Sequence, residues 1–210
     1  MANINRPFGL RPVRYLNGAP YNGAVGSYHV PATNLVNMFL GDPVILNGTG
    51  NLTSFMDYPP GVLADVQLTT IPAAGLPALT YANYLIGSII GILPVTREST
   101  IYRAAGVEAI IFVTEDPMIV YQIQDNGAAT LGTGVIGQNA NLFAGAGSTT
   151  TGQSGYTLDA GTTTAPGVTA GLQLTVIKGS FNVTNDVLSP FATWDVIINQ
   201  HPFGQSSIGI

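Results

Sequence analysis

Glycine and proline interrupt this sequence so often that no long helix can be written for it. The 210 residues include 26 glycines and 14 prolines. No window holds three turns of apolar residues at helical spacing without one of them. Three segments instead alternate apolar and polar residues, which is the pattern of a strand with one buried face. These segments are residues 119–124, 172–176 and 194–199.

Further strand candidates are more continuously apolar. Residues 43–46 and 62–68 are short apolar runs, and residues 108–114 form a run typical of a sandwich-core strand. The Glu-Asp-Pro sequence at 115–117 then predicts a tight turn. Short strands separated by turn residues predict an all-β fold, either a β-sandwich or a jelly-roll-like barrel.

The segment 85–95 is strongly apolar, and no charged residue lies between Asp65 and Arg97. A helix that crosses a membrane needs about 20 apolar residues, and Pro77 and Pro94 interrupt this region. We therefore predict a buried core or interface strand here, and no contact with a membrane.

Charged residues make up only 8% of the chain, whereas an average protein has about 25%. Because 46% of the residues are hydrophobic, we predict a folded chain and not a disordered one. A surface with so few charges would be poorly soluble if all of it met water, so we expect other subunits to cover part of it. The net charge of -5 argues against nucleic-acid binding by the body of the chain.

Three of the six basic residues lie within the first fourteen positions. The three are Arg6, Arg11 and Arg14. Pro7 and Pro12 lie among them and oppose helix formation. We predict that residues 1–17 form an extended N-terminal arm, and that residues 18–210 form a β-sandwich body that would stay folded without the arm.

This arm has two possible roles, either a frayed terminus in solvent or a segment bound to an acidic surface of another subunit. Phe8, Tyr15 and Tyr21 favour the second role, because a solvated tail rarely carries so much apolar surface. Arginine also forms paired hydrogen bonds with carboxylates. The predicted partner-binding residues are Arg6, Pro7, Phe8, Leu10, Arg11 and Arg14.

Two stretches of the body are predicted to be long loops, around residues 54–80 and 145–167. The second is rich in glycine, serine and threonine and almost uncharged. Loops longer than about 15 residues are uncommon unless they are functional or disordered. We expect these two to pack on neighbouring subunits.

The sequence has no recognisable catalytic or cofactor-binding set. It lacks cysteine, and His29 and His201 are far apart without the spacing of metal ligands. A G-x-G-x-x-G pattern occurs at Gly132, Gly134 and Gly137, but the amphipathic helix that dinucleotide binding requires does not follow it. We therefore predict that the chain is not an enzyme and that it binds no cofactor and no metal.

Several sequence blocks resemble one family of virion proteins from tailed bacteriophages. Residues 5–23 read NRPFGLRPVRYLNGAPYNG, and members of that family typically begin with Arg-Pro-x-Gly-Leu-Arg-Pro followed by a Leu-Asn-Gly turn. Residues 115–124, 137–155 and 194–201 are similar to further blocks of the same family. The resemblance runs over most of the chain, and its motifs are structural and not catalytic.

The resemblance implies a capsid cement or decoration protein. Such a protein would be a β-sandwich subunit, often trimeric, that binds the major capsid protein on the capsid exterior and stabilises the shell. A phage tail or adaptor component is the alternative within the virion. A secreted carbohydrate-binding or adhesin β-domain is a third possibility, but it would need a signal peptide and aromatic platforms. No signal peptide is recognisable, and the single tryptophan, Trp194, falls on a predicted core face.

Overall fold

The computed structural model describes residues 3–69 and 84–204. Strands account for 37% of the described residues and helical turns for 2%, which confirms the predicted all-β class. The strands form a sandwich-like arrangement of a closed five-stranded barrel, a five-stranded sheet and a two-stranded ribbon. They are β1 Arg11–Tyr15, β2 Gly26–Val30, β3 Pro43–Gly50, β4 Ala64–Leu68, β5 Leu85–Ile92, β6 Ala109–Val113, β7 Ile119–Gln124, β8 Asn139–Ala140, β9 Leu142–Phe143, β10 Thr157–Leu158, β11 Leu174–Gly179 and β12 Thr193–Ile198.

The barrel contains β2, β4, β3, β5 and β6 in that order. Its strands β3, β4 and β6 correspond to the strands predicted at 43–46, 62–68 and 108–114. Most neighbouring strands in it are antiparallel. The contact between β2 and β4 is parallel and consists of one residue pair, His29 opposite Asp65. Backbone pairing in the barrel is therefore weakest between these two strands, and we call this junction the barrel seam.

The apolar segment 85–95 forms the core strand β5 of the barrel. Leu85, Ile86 and Ile89 are completely buried. Gly87 has a φ of 153°, and a Cβ at this position would lie 1.5 Å from the backbone oxygen of Thr114. Only glycine lets β5 pass this carbonyl.

The five-stranded sheet has the order β1, β7, β12, β11, β8, and it contains all three alternating segments. Trp194 and Tyr121 on its inner face share one hydrophobic cluster with Ile45 of β3 and Leu85 of β5. The sheet therefore packs one face on the barrel. Its other face is turned away from the barrel, and there Val120, Gln124 and Asp195 are buried whereas Gln122 is half-buried.

The N-terminal segment is not a separate arm, and here the structure corrects the predicted boundary at residue 17. Strand β1 pairs with β7, and Leu10 is completely buried in the same cluster as Trp194. The segment is extended, as predicted, but residues 3–15 lie against their own chain. Deleting residues 1–17 would remove an edge strand and a core side chain, so the body depends on them.

The two predicted long loops also differ from expectation. Strand β4 divides the stretch 54–80, of which residues 70–80 lie outside the described residues. In the stretch 145–167, β10 pairs with β9, and Tyr156 and Leu158 lie in the hydrophobic core. This second stretch therefore packs largely within its own chain.

The structure also bears on the G-x-G-x-x-G pattern and on membrane-spanning helices. Gly132–Val135 form a single 3-10 turn, and Ile136 after it is extended, so the G-x-G-x-x-G pattern does not open a helix in the described chain. In residues 3–69 and 84–204 no helix has the length and apolar character needed to cross a bilayer.

Candidate partner-binding surface

The outward face of the five-stranded sheet carries two of the N-terminal arginines. Arg11 pairs with Gln122 of β7, and Arg14 pairs with Val120, because the register shifts between Pro12 and Arg14. Directly paired residues lie on the same face of a sheet. This bulge therefore brings Arg11 and Arg14, three positions apart, to the same outward face.

Residues 3–8 run along this face and are held by side-chain amides. The Gln124 Nε2 donates to the Ile4 oxygen at 2.9 Å, and its Oε1 accepts from the Arg6 backbone N–H at 2.8 Å. The Asn3 Nδ2 donates to the Asp186 oxygen at 2.8 Å, and its Oδ1 accepts from the Asp186 N–H at 2.9 Å. Two amide side chains thus fix a segment that has no strand partner of its own.

The path from this face into the core depends on Gly9. Its φ is 70°, and a Cβ there would lie 2.2 Å from the backbone oxygen of Gly41. The next residue, Leu10, donates its N–H to the same oxygen at 2.9 Å. The chain can therefore enter the core directly after Phe8 only with glycine at this position.

A groove of about 680 Å³ lies between residues 3–8 and residues 180–185. Its floor is formed by Gln122 and Gln124 of β7 together with Thr193 of β12. Because the floor is part of the sheet, its shape is set by the rigid sandwich. We call this feature the arm groove.

The arm groove is cationic and partly aromatic. The Arg11 guanidinium lies 4.7 Å from the Phe8 ring centroid, and its Nη2 donates to Gln122 Oε1 at 2.5 Å. Phe181, on the opposite wall, is 95% exposed. No acidic residue is among the described residues that line the groove.

The N-terminal arginines have no carboxylate partner within the described chain. Its ion pairs involve only His29, with Asp65 and Glu108, and Lys178, with Asp195. The guanidinium of Arg6 is exposed and makes no hydrogen bond to any described residue. Two arginines are thus presented in the groove with hydrogen-bond donors left over for a ligand.

The six predicted partner-binding residues therefore take different places. Arg6, Phe8 and Arg11 line the arm groove, and Pro7 lies half-buried between them. Arg14 is half-buried on the same face and donates to the Tyr15 oxygen at 3.2 Å. Leu10 belongs to the core of its own chain and cannot contact a partner.

Sequence reasoning missed two parts of this surface. Gln122 and Gln124 occupy the polar positions of an alternating strand, and that pattern could have placed them on the outward face. No sequence pattern marks Phe181 as a surface residue. It lies in the irregular segment after β11, and it is exposed although it is aromatic.

A second cluster of ionisable groups lies at the barrel seam. The His29 Nδ1 is 2.6 Å from Asp65 Oδ1, and its Nε2 is 2.9 Å from Glu108 Oε1. The Thr49 hydroxyl donates to Asp65 Oδ2 at 2.8 Å. Carboxylates accept and do not donate, so both histidine contacts are hydrogen bonds only when the ring carries both protons. With a carboxylate at each ring nitrogen, the cluster joins β2 to β4 and to the residue before β6.

Asp42 is the other buried carboxyl group of note. It is 2% exposed, and its Oδ2 accepts the Phe39 N–H at 2.8 Å. Burial raises the pKa of Asp42 to about 6, although hydrogen bonds from Ser154 and Phe39 act in the opposite direction. The group therefore changes its charge at mildly acidic pH.

His201 is buried and hydrogen-bonded within its own chain. Its Nε2 lies 3.1 Å from the Ile86 oxygen, and burial lowers its pKa. Across residues 3–69 and 84–204, no three histidine, aspartate or glutamate side chains are placed to hold a metal ion.

No protein-family model, curated protein or solved structure matches this chain.

Proposed function

We propose that this chain is a capsid cement protein of a tailed bacteriophage. It would bind the outer surface of the major capsid shell, as a trimer, and add contacts across the seams between capsid subunits. Typical specific interfaces bury about 1,600 Å². Repeated over many sites, such contacts would raise the free energy needed to rupture a shell under internal DNA pressure.

The observation that carries this proposal is the arm groove. Arg6 and Arg11 are held at the surface by the sheet and have no carboxylate among the described residues to neutralise them. Arginine–carboxylate pairs are among the stronger contacts across protein interfaces. A chain with only six basic residues that places two of them in one groove is suited to bind an acidic protein surface, which in a capsid-bound trimer is that of the shell or of a neighbouring copy.

Exposed apolar side chains next to the groove support the same function. Phe181 is 95% exposed, Val183 97% and Leu188 67%. Three large apolar side chains this exposed within eight residues are consistent with a surface that meets a partner. The four sequence blocks that resemble phage virion proteins supply the identity of the proposed partner.

The number of copies per virion tests this proposal directly. Particles of the phage that encodes the chain would be purified, and the chain would be quantified against the major capsid protein by mass spectrometry with labelled peptide standards. We expect hundreds of copies, and immunogold labelling over the head.

The other outcomes of the same measurement have definite meanings. A dozen copies or fewer, with label on the tail or neck, would replace the cement function with that of a tail or adaptor component. Absence from purified particles would refute a virion function and would favour the secreted β-domain.

A further inference from the structure

We propose that the arm groove of one copy receives the acidic turn of a second copy. The acidic turn is residues 115–118, Glu-Asp-Pro-Met, between β6 and β7. This inference names the contact that would hold the proposed oligomer together, and it rests on the self-association proposed above.

The acidic turn is the single place in the sequence where two acidic residues are adjacent. Glu115 and Asp116 are both exposed, and neither takes part in an ion pair within the described chain. Met118 after them is 50% exposed. Two carboxylates and an apolar side chain are therefore exposed within four consecutive residues.

The turn is already ordered before any partner binds. The Met118 N–H donates to Asp116 Oδ1 at 2.7 Å, and the Ile119 N–H donates to the Asp116 oxygen at 3.2 Å. Glu115 accepts from the Tyr28 hydroxyl at 2.6 Å, and Pro117 has a fixed φ. Docking this turn would cost little conformational entropy.

The two surfaces are complementary in charge and in chemistry. The arm groove offers the Arg6 and Arg11 guanidiniums with no acidic residue among the described lining, and the turn offers two carboxylates without a cationic partner. Met118 can contact the exposed Phe181 ring, since a thioether interacts favourably with an aromatic edge.

Their positions in the fold require two copies. The turn precedes the first residue of β7, whereas the groove floor contains Gln122 and Gln124 near its last residue. Gln122 and Gln124 lie four and six positions after Met118, about 14–20 Å along the strand. Because the turn is fixed by its own hydrogen bonds, it cannot reach the groove of its own chain. A contact between two different surface patches is head-to-tail, and such contacts close into rings when the rotation permits. The proposed trimer would contain three of them.

Charge exchange tests this contact in the full-length chain. Sedimentation velocity over a micromolar concentration series would compare the wild type with Arg6→Glu, Asp116→Lys and the double variant. We expect each single variant to associate at least roughly tenfold more weakly, and the double variant to recover most of the loss. Arg97→Glu and Glu98→Lys are matched controls, because both side chains are exposed and outside the groove and turn. Circular dichroism would confirm that each variant is folded.

Other results would overturn the inference in distinguishable ways. If the wild type associates and neither single variant weakens it, the oligomer uses another surface. If Arg6→Glu weakens binding to capsids but not self-association, the groove binds the capsid protein and not a second copy. A wild type that stays monomeric refutes the self-association and this contact together, whereas the copy number in virions still decides the cement function.

Discussion

Replacing Asp42 by asparagine should stabilise the protein at neutral pH. The asparagine side chain would still accept the Phe39 N–H through its oxygen, and it would carry no charge into the buried site. The pKa of Asp42 is about 6, against an ordinary value of 3.8. At about 1.4 kcal/mol per pKa unit, keeping this carboxylate charged costs the folded state roughly 3 kcal/mol at neutral pH.

The sign of the pH dependence follows from the two pKa values. Below about pH 4 the carboxyl is protonated in the folded and unfolded chains alike, and it contributes no difference. As the pH rises, the unfolded chain loses this proton first, so the folded state loses stability until the pH exceeds about 6. The variant lacks this loss, and its advantage should grow from near zero at about pH 4 to roughly 3 kcal/mol at about pH 7.5.

Urea unfolding followed by the fluorescence of Trp194, at one fixed protein concentration, would measure this difference. Trp194 is the single tryptophan and is completely buried. Asp186→Asn is a control with the opposite sign, because a hydrogen bond from Ser189 lowers the pKa of Asp186. A difference between Asp42→Asn and wild type that does not change with pH would refute the reasoning, as would a variant less stable at about pH 7.5.

Three further substitutions test other parts of the fold. Gly87→Ala should prevent folding, because its Cβ would meet a backbone oxygen, whereas Gly134→Ala meets nothing within 4 Å and should melt within a few degrees of wild type. Leu10→Ala should lower the free energy of unfolding by about 2–5 kcal/mol, and a loss below about 1 kcal/mol would mean that the N-terminal segment is not part of the core. His29→Leu should cost about 1–3 kcal/mol in urea unfolding, because it leaves the buried Asp65 with the Thr49 hydroxyl as its remaining side-chain partner; an unchanged midpoint would show that other contacts hold β2 to β4.

The strands could be predicted because their evidence is local. Large apolar residues recur at every second position in 119–123 and 194–198, and all six of them lie in one core cluster. The apolar segment 85–95 was recognisable as a core strand because proline and glycine interrupt it too often for a membrane helix. None of these inferences needed a partner from elsewhere in the chain.

The N-terminal segment could not be placed from sequence because its partners are distant. Its prolines and arginines are typical of a free arm, but β1 pairs with β7 more than a hundred positions later. The bulge after Pro12, which brings Arg11 and Arg14 to one face, is equally invisible in a pattern of residue types. Extended conformation was predictable here, whereas intramolecular pairing was not.

The stretch 145–167 was misjudged for a related reason. Its glycine, serine and threonine content is typical of a flexible loop, yet Asp159 accepts backbone hydrogen bonds from residues 161 to 164 at 2.7–3.0 Å. The buried Asp159 carboxylate thus holds this turn in place. The glycine, serine and threonine content alone would predict a flexible loop in solvent. The His29 cluster escaped notice because its three ionisable members come from three separate places in the chain.

The pairing of β1 with β7, and of β7 with β12, also sets the order in which the chain can fold during synthesis. The N-terminal segment leaves the ribosome first, but its neighbour β7 ends at residue 124, and the central strand β12 is complete only at residue 198. Leu10 and the unpaired edge of β1 therefore stay exposed while most of the chain is made. Folds dominated by such distant pairings form slowly, and their apolar edges are open to aggregation in the meantime. Expression at reduced temperature, at which hydrophobic association is weaker, should consequently raise the yield of soluble protein.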